Sequence, residues 1–312
     1  MGWHQRMSSQ RLWIGGYGPQ DSAHGRGLAT FRDIVEMETG GEVTVEVTWN
    51  IMDAGRPNTD LFDMVESGEM FLCYFSSSYL GERVPSLNVL EIPFLFDDLE
   101  QAHQALDGPL GARLGEAVRD VTGFEVLGFW DNGFRHITNR LRPVHVPEDC
   151  KGMSVRMQPN RIHEALIRSW GAIPVAVELN EAIDLISRLE VDAQENPLAN
   201  TVAYGVDRVH RYVTMTGHLY GARGLWANRR AMEDLDPDVR RIVEQAARSA
   251  IEIQRGEAAA LELRYRARMA GEGIEFVDLE EAERSSFRQA SAPAIDLARS
   301  IVPGGLLELA TV

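Results

Sequence analysis

The sequence predicts an α/β protein built on a largely parallel sheet, and three observations carry that expectation. EVTVEVTW at 42–49 alternates strictly, so Val43, Val45, Val47 and Trp49 share one face of a half-buried strand. MFLCYF at 70–75 is a short continuous apolar run, the pattern of a strand covered on both faces. Segments of helical period precede and separate these strands, giving a βαβαβ order.

Taken in order, RLWIGGY reads as the first strand. Residues 24–39 read as a helix with Leu28, Phe31, Ile34, Val35 and Met37 near one face, stopped by Gly40-Gly41. A second helix follows at about 58–66. Ser76, Ser77 and Ser78 leave the apolar strand at its C-terminal end, where ligands meet α/β sheets. IPFLF at 92–96 contains proline and reads as a crossing segment. A helix is expected across 98–120 and a strand at FEVLGFW, 124–130. The proline-rich loop RPVHVPEDC then introduces a second α/β lobe: strand GMSVRMQ, helix 160–170 ended by Gly171, strand AIPVAV, helix 180–189 and a short strand VDAQ. From Pro237 to about Ala270 the pattern is one long helix of about 45 Å. A short strand, GIEFVDL, and a terminal helix close the chain.

The 312 residues are 44% hydrophobic, enough for sizeable cores. A net charge of −16 argues against broad nucleic-acid or anionic-membrane affinity, since both need a basic face. A local pair of arginines can still hold a small anion in a closed site. Lys151 is the one lysine, which reads as a coding bias. Cys73 lies in the apolar run and Cys150 in a polar loop, and two cysteines define no framework. The first sixteen residues hold no apolar segment of the kind that directs secretion. That leaves a cytoplasmic protein, or a leader removed or lying outside the start.

Arg135, in GFRHITNRLRP, and Arg156, in KGMSVRMQ, are the main candidates for chemistry. A guanidinium offers a planar fork of donors that matches a carboxylate. In GMSVRMQ, Met153, Val155 and Met157 alternate with Ser154, Arg156 and Gln158, so Arg156 points away from the apolar set. The alternative is a strand with Arg156 on its wet side. QENP offers the amide of Asn196 at a strand end, able to donate and accept. Tyr17, Gln20, Ser76 and Ser77 are further candidates from strand-end loops. Trp130, Tyr220 and Trp226 are candidate walls, and His218 is the histidine of interest because aromatics flank it. No HExxH, zinc-spaced cysteine pair, P-loop, G-x-S-x-G or complete G-x-G-x-x-G occurs, so no metal or cofactor is expected.

These segments together resemble the solute-binding proteins of tripartite ATP-independent periplasmic (TRAP) transporters, of the C4-dicarboxylate-binding DctP type. The resemblance runs from about residue 11 to 300 through FRDIVEMETGGEVTVEV, NVLEIPFLFDDLEQAHQALDG, GFRHITNRLRPVHVPEDCKGMSVRMQ, WGAIPVAVELNEAIDLISRLEVDAQENPLAN and MTGHLYGARGLWANRRAMEDLDPDVRRIVEQAA. It implies a two-lobed, periplasmic-binding-protein-like α/β fold with a ligand cleft between the lobes and a long helix crossing both. Lobe I would be 1–131 plus about 221–260, and lobe II 132–220 plus about 261–312. It also implies a periplasmic receptor, not an enzyme, that takes up an organic acid and delivers it to TRAP membrane permease subunits. Arg156 would form the salt bridge to the ligand carboxylate, with Arg135 and Asn196 assisting. The chain departs from the family pattern where a glycine-rich step of the form TGVVDGQENP is common: here SRLEVDAQENP puts Leu189 and Ala193 in place of glycines. The first-strand loop GGYGPQDSAHG and the segment WNIMDAG are atypical as well. Two other classes stay open at this point. One is a ligand-sensing protein for an organic acid. The other is a lyase or hydrolase on an organic acid with His218 or Glu195 as base.

Overall fold

The computed structural model describes residues 10–310. The N-terminal segment read for a leader lies largely outside them. The described chain forms two compact units. The first takes in the chain to Phe75, Val118–Trp130 and Arg223–Glu257; the second takes in Ser76–Ala117, Asp131–Ala222 and everything from Ala258 on. Residues 76–117, which the sequence division assigns to lobe I, therefore belong with the second unit. Packing explains the difference. Leu80, Val84, Leu87 and Leu90 are buried. The 3-10 segment Pro85–Glu91, which carries Leu87 and Leu90, lies on the helices Ala292–Ile301 and Leu306–Ala310.

In the first unit, β1 (Gln10–Gly15) pairs in parallel with β2 (Val43–Thr48) on one side and β3 (Leu72–Ser76) on the other. Helix α1 (Ala23–Glu38) connects β1 to β2, and Ser22 caps it by accepting from the Gly25 amide at 3.0 Å. Its buried face is Leu28, Phe31 and Val35; Ile34 is half-buried and Met37 exposed, so the stripe is narrower than the sequence suggests. Gly27 lets α1 approach Trp130 closely, since a Cβ there would stand 2.7 Å from the indole. Helix α2 (Asp60–Ser67) leads into β3, whose Leu72, Cys73, Tyr74 and Phe75 are all buried, as a strand covered on both faces should be.

The single helix expected across 98–120 is two, α3 (Leu99–Asp107) and α4 (Pro109–Val121). Pro109 lacks an amide hydrogen and sits at a first helical position, so the chain restarts there. Strand β4 (Phe124–Asn139) continues past the predicted FEVLGFW through GFRHITN. The second unit then follows the predicted order: β5 (Ser154–Met157), α5 (Arg161–Ser169), β6 (Ile173–Ala176), α6 (Leu179–Ser187), β7 (Ala193–Asn196) and α7 (Leu198–Ala203). Strand β8 (Tyr212–Asn228) has no counterpart in the sequence reading. A short α8 (Arg229–Glu233) precedes α9 (Pro237–Gly271), 35 residues and about 52 Å long. The terminal helix is three: after β9 (Glu275–Val277) come α10 (Glu281–Ala290), α11 (Ala292–Ile301) and α12 (Leu306–Ala310).

The sheet of the second unit runs β8-β4-β7-β5-β6, with β9 beside β8. Strand β5 is parallel to both β6 and β7, and β7 is antiparallel to β4. That register sets Arg156 beside Gln194, and Asn196 beside His136. The chain passes between the units five times, inside β3, α4, β4, β8 and α9, so both units share the long helix.

Candidate functional site

Arg156 is buried, with 3% of its surface exposed, which removes the wet-side alternative. Val155 and Met157 on the other face of β5 are buried too. One guanidinium nitrogen, Nη2, donates to the Val177 carbonyl at 2.8 Å. The buried Nε meets no acceptor, and among the described residues no carboxylate pairs with the guanidinium. Burial depresses its pKa, opposed by the nearby phenol of Tyr79 and carboxylate of Glu195. A buried cation without a counter-ion is costly, and a carboxylate ligand offering paired oxygens would relieve that cost.

Arg135 has the opposite arrangement. Its Nε and Nη2 grip both carboxylate oxygens of Glu195, the Nη2–Oε1 contact being 2.7 Å, and Nη2 also donates to the Glu195 carbonyl at 2.8 Å. Glu195 faces Ile137 across the β4–β7 ladder, so Arg135 is its diagonal cross-strand neighbour. Burial alone would lower the arginine pKa, but the Glu195 carboxylate outweighs it and holds it above the ordinary value. Burial alone would likewise raise that of Glu195. Arg135, with His218 and His163 behind it, instead holds it well below the usual carboxylate range.

His218 lies entirely inside this group. Its Nδ1 is 2.7 Å from Thr216 Oγ1, its Nε2 is 3.5 Å from Glu195, and Trp170 meets its ring edge-on at 5.2 Å. Burial pushes its pKa down, against the pull of Glu195. His163 completes the cluster, with Nε2 2.7 Å from Glu91 and Nδ1 3.9 Å from Glu195.

Asn196 is buried in an amide chain. Its Nδ2 donates to Gln194 at 3.0 Å, and its Oδ1 accepts from Asn200 at 3.1 Å. Two residues beyond Arg156, Gln158 is 8% exposed and donates through Nε2 to Ser78 Oγ at 2.7 Å. Ser78 in turn bonds Ser76 at 3.0 Å, while Ser77 donates to the Ala222 carbonyl at 3.2 Å. Tyr79 donates to Glu178 at 2.9 Å. Tyr220 donates to Asp131, which also holds His103 at 2.8 Å, and Phe96 and Phe134 pack against its ring.

Tyr17, Gln20 and Trp130 lie in the first unit. Tyr17 is buried against Tyr74 and Phe75, Trp130 is buried against His24 and Tyr74, Trp226 packs on Phe62 and Phe124, and Gln20 is exposed. The sequence reading missed Arg223. Its guanidinium is buried 4.8 Å over the Tyr17 ring and 3.1 Å from His24 Nε2. An arginine inside the apolar run GARGLW was the available signal. Gln158 was missed as a site residue too, although its i+2 spacing from Arg156 places both on one strand face.

The family model for bacterial extracellular solute-binding proteins, family 7 (DctP), matches residues 14–300. The chain belongs to this family. A solute-binding protein of Verminephrobacter eiseniae is 30% identical over 88% of this chain and 80% of its own length. Among solved structures, a TRAP periplasmic solute-binding protein of Polaromonas sp. JS666, bound to D-erythronate, is 28% identical with a TM-score of 0.89, covering 97% of this chain and 99% of that one. One from Sulfitobacter sp. NAS-14.1, with bound β-D-galacturonate, is 25% identical with a TM-score of 0.88, covering 96% and 98%. The α/β architecture is that of these solved structures. Among the described residues, no helix is long and apolar enough to cross a membrane, and no group of three or more His, Cys, Asp or Glu side chains is placed to hold a metal ion.

Proposed function

We propose that this chain is the periplasmic receptor of a TRAP transporter, and that it takes an organic acid by its carboxylate on Arg156 and passes it to the membrane permease. The observation that carries this reading is Arg156 itself: buried, with an Nε that meets no acceptor and no protein carboxylate beside it. The carboxylate sugars bound by the Polaromonas and Sulfitobacter proteins support the ligand class. Asn196 adds an amide at the end of the neighbouring strand β7, and Arg135 holds Glu195, the residue next to it. No bond is broken in this scheme; the acid is bound and released unchanged.

The test is a panel of hydroxy, keto, sugar and dicarboxylic acids read by thermal shift and calorimetry. A cognate acid raises the melting temperature with the logarithm of one plus its concentration over Kd, and is recovered unchanged. Arg156→Met should weaken binding by about 2–5 kcal/mol, the cost of removing one member of a buried charge pair. Unchanged affinity in that variant removes Arg156 from the site, and consumption of the acid removes the receptor reading.

A further inference from the structure

We infer that Gln158 reads a hydroxyl on the carbon next to the bound carboxylate, which makes the preferred ligands 2-hydroxy acids. The inference rests on the carboxylate reading of Arg156 and adds to it the chemistry of the neighbouring carbon.

Gln158 follows β5 directly, two residues after Arg156. Side chains at i and i+2 of an extended segment project from the same face, with Cα atoms about 6.5–7 Å apart. Ser78, in the short turn Ser77–Leu80, receives the Gln158 amide at 2.7 Å. Ser78 is itself fixed to Ser76 at 3.0 Å. The amide is therefore oriented by its Nε2, and its Oε1 is left as an acceptor to which no described residue donates. Gln158 keeps 8% exposure, so this oxygen is not sealed into the core.

An amide held this way beside a carboxylate-binding guanidinium discriminates by what it lacks. Its carbonyl oxygen needs a donor, and an ionised carboxylate has none to give. In a 2-hydroxy acid the hydroxyl is one carbon from the carboxylate, within the reach of an i+2 neighbour, and it supplies that donor. A ligand with hydrogen at the same carbon would bury the Gln158 oxygen without a partner. D-Erythronate, bound by the Polaromonas relative, is a 2-hydroxy acid.

The experiment compares matched pairs that differ only at that carbon: lactate with propionate, malate with succinate, and D-erythronate with 3,4-dihydroxybutanoate. Calorimetry on the wild type should favour the hydroxy member by about tenfold in at least the pair that fits the site. Gln158→Met should bring the two members to within about twofold, by weakening the hydroxy acid and by relieving the other of the unpaired Gln158 oxygen. Should Gln158→Met fail to fold, Ser78→Ala, which frees the amide, should lower the preference by about threefold. A wild type that binds both members equally overturns the inference, as does a preference that survives in Gln158→Met or, where that variant does not fold, in Ser78→Ala. The two readings fail differently. If no acid binds, or if Arg156→Met binds as the wild type does, the carboxylate reading fails and takes this one with it. If acids bind through Arg156 without regard to the hydroxyl, only the assignment of Gln158 fails.

Discussion

Replacing Arg135 by Met should damage stability far more than it damages recognition. Arg135 is 3% exposed and Glu195 1%, and the two share a bidentate contact plus a bond to the Glu195 carbonyl. Removing the arginine leaves Glu195 buried with only His218 at 3.5 Å and His163 at 3.9 Å to offset its charge. Breaking such a pair from one side costs about 3–5 kcal/mol. For a cooperative unit of about 150–250 residues, each kcal/mol moves the midpoint by about 2–4 °C, so a fall of about 6–20 °C is expected. The assay is thermal unfolding at pH 7 without ligand, followed by circular dichroism. The double variant Arg135→Met/Glu195→Leu removes both charges and should recover most of the loss, because apolar replacements of a buried pair are often neutral. A midpoint within about 2 °C of wild type for Arg135→Met, together with a collapse in acid affinity, would refute the reasoning and move Arg135 from support to ligand contact.

Two further outcomes follow from single residues. Leu189 adopts a left-handed backbone (φ 60°) just after the Arg188 cap of α6 and is half exposed. A side chain there costs about 1–2 kcal/mol, so Leu189→Gly should raise the midpoint by about 2–8 °C; an unchanged or lower midpoint in calorimetry contradicts this. Glu262 on α9 has its pKa pushed up to about 7, chiefly by burial, against the Leu198 and Ala199 amides and Arg266; His136 Nε2 is 3.7 Å away. Its folded pKa is above its unfolded value, so its contribution is fully present below about 4.5 and is lost as pH rises through about 7. Glu262→Gln should therefore gain on the wild type at pH 8 and lose that advantage by pH 5; a midpoint difference that does not vary with pH rejects it.

Local patterning made part of the fold legible. Strict alternation marked β2, apolar continuity marked β3, and helical period with an N-terminal proline marked α9. Strand β8 was not legible, because Gly217, Gly221 and Gly224 dilute its apolar pattern and its pairing partners are distant in sequence. The break between α3 and α4 rests on Gly108-Pro109, which a periodicity count over 98–120 passes over. At the site, alternation in β5 separated Arg156 from its apolar neighbours but did not say whether that face was buried. The Leu189-for-glycine departure was visible as a residue difference, while its consequence, a left-handed leucine, required backbone angles.

Arg135 and Arg156 show why residue type and spacing alone could not rank the two arginines. Both are 3% exposed, and both lie on strands of one sheet. The difference is the partner, and it is set by register. The antiparallel β4–β7 ladder brings Glu195 diagonally onto Arg135, across a sequence separation of 60 residues. The parallel β5–β7 contact gives Arg156 the neutral Gln194 instead. A protein that only needed stability would gain from replacing Arg156 by a hydrophobic residue. Retaining a buried cation with an open Nε is explicable if the counter-ion arrives from outside, and the free energy left unrealised in the unliganded chain then becomes available to binding.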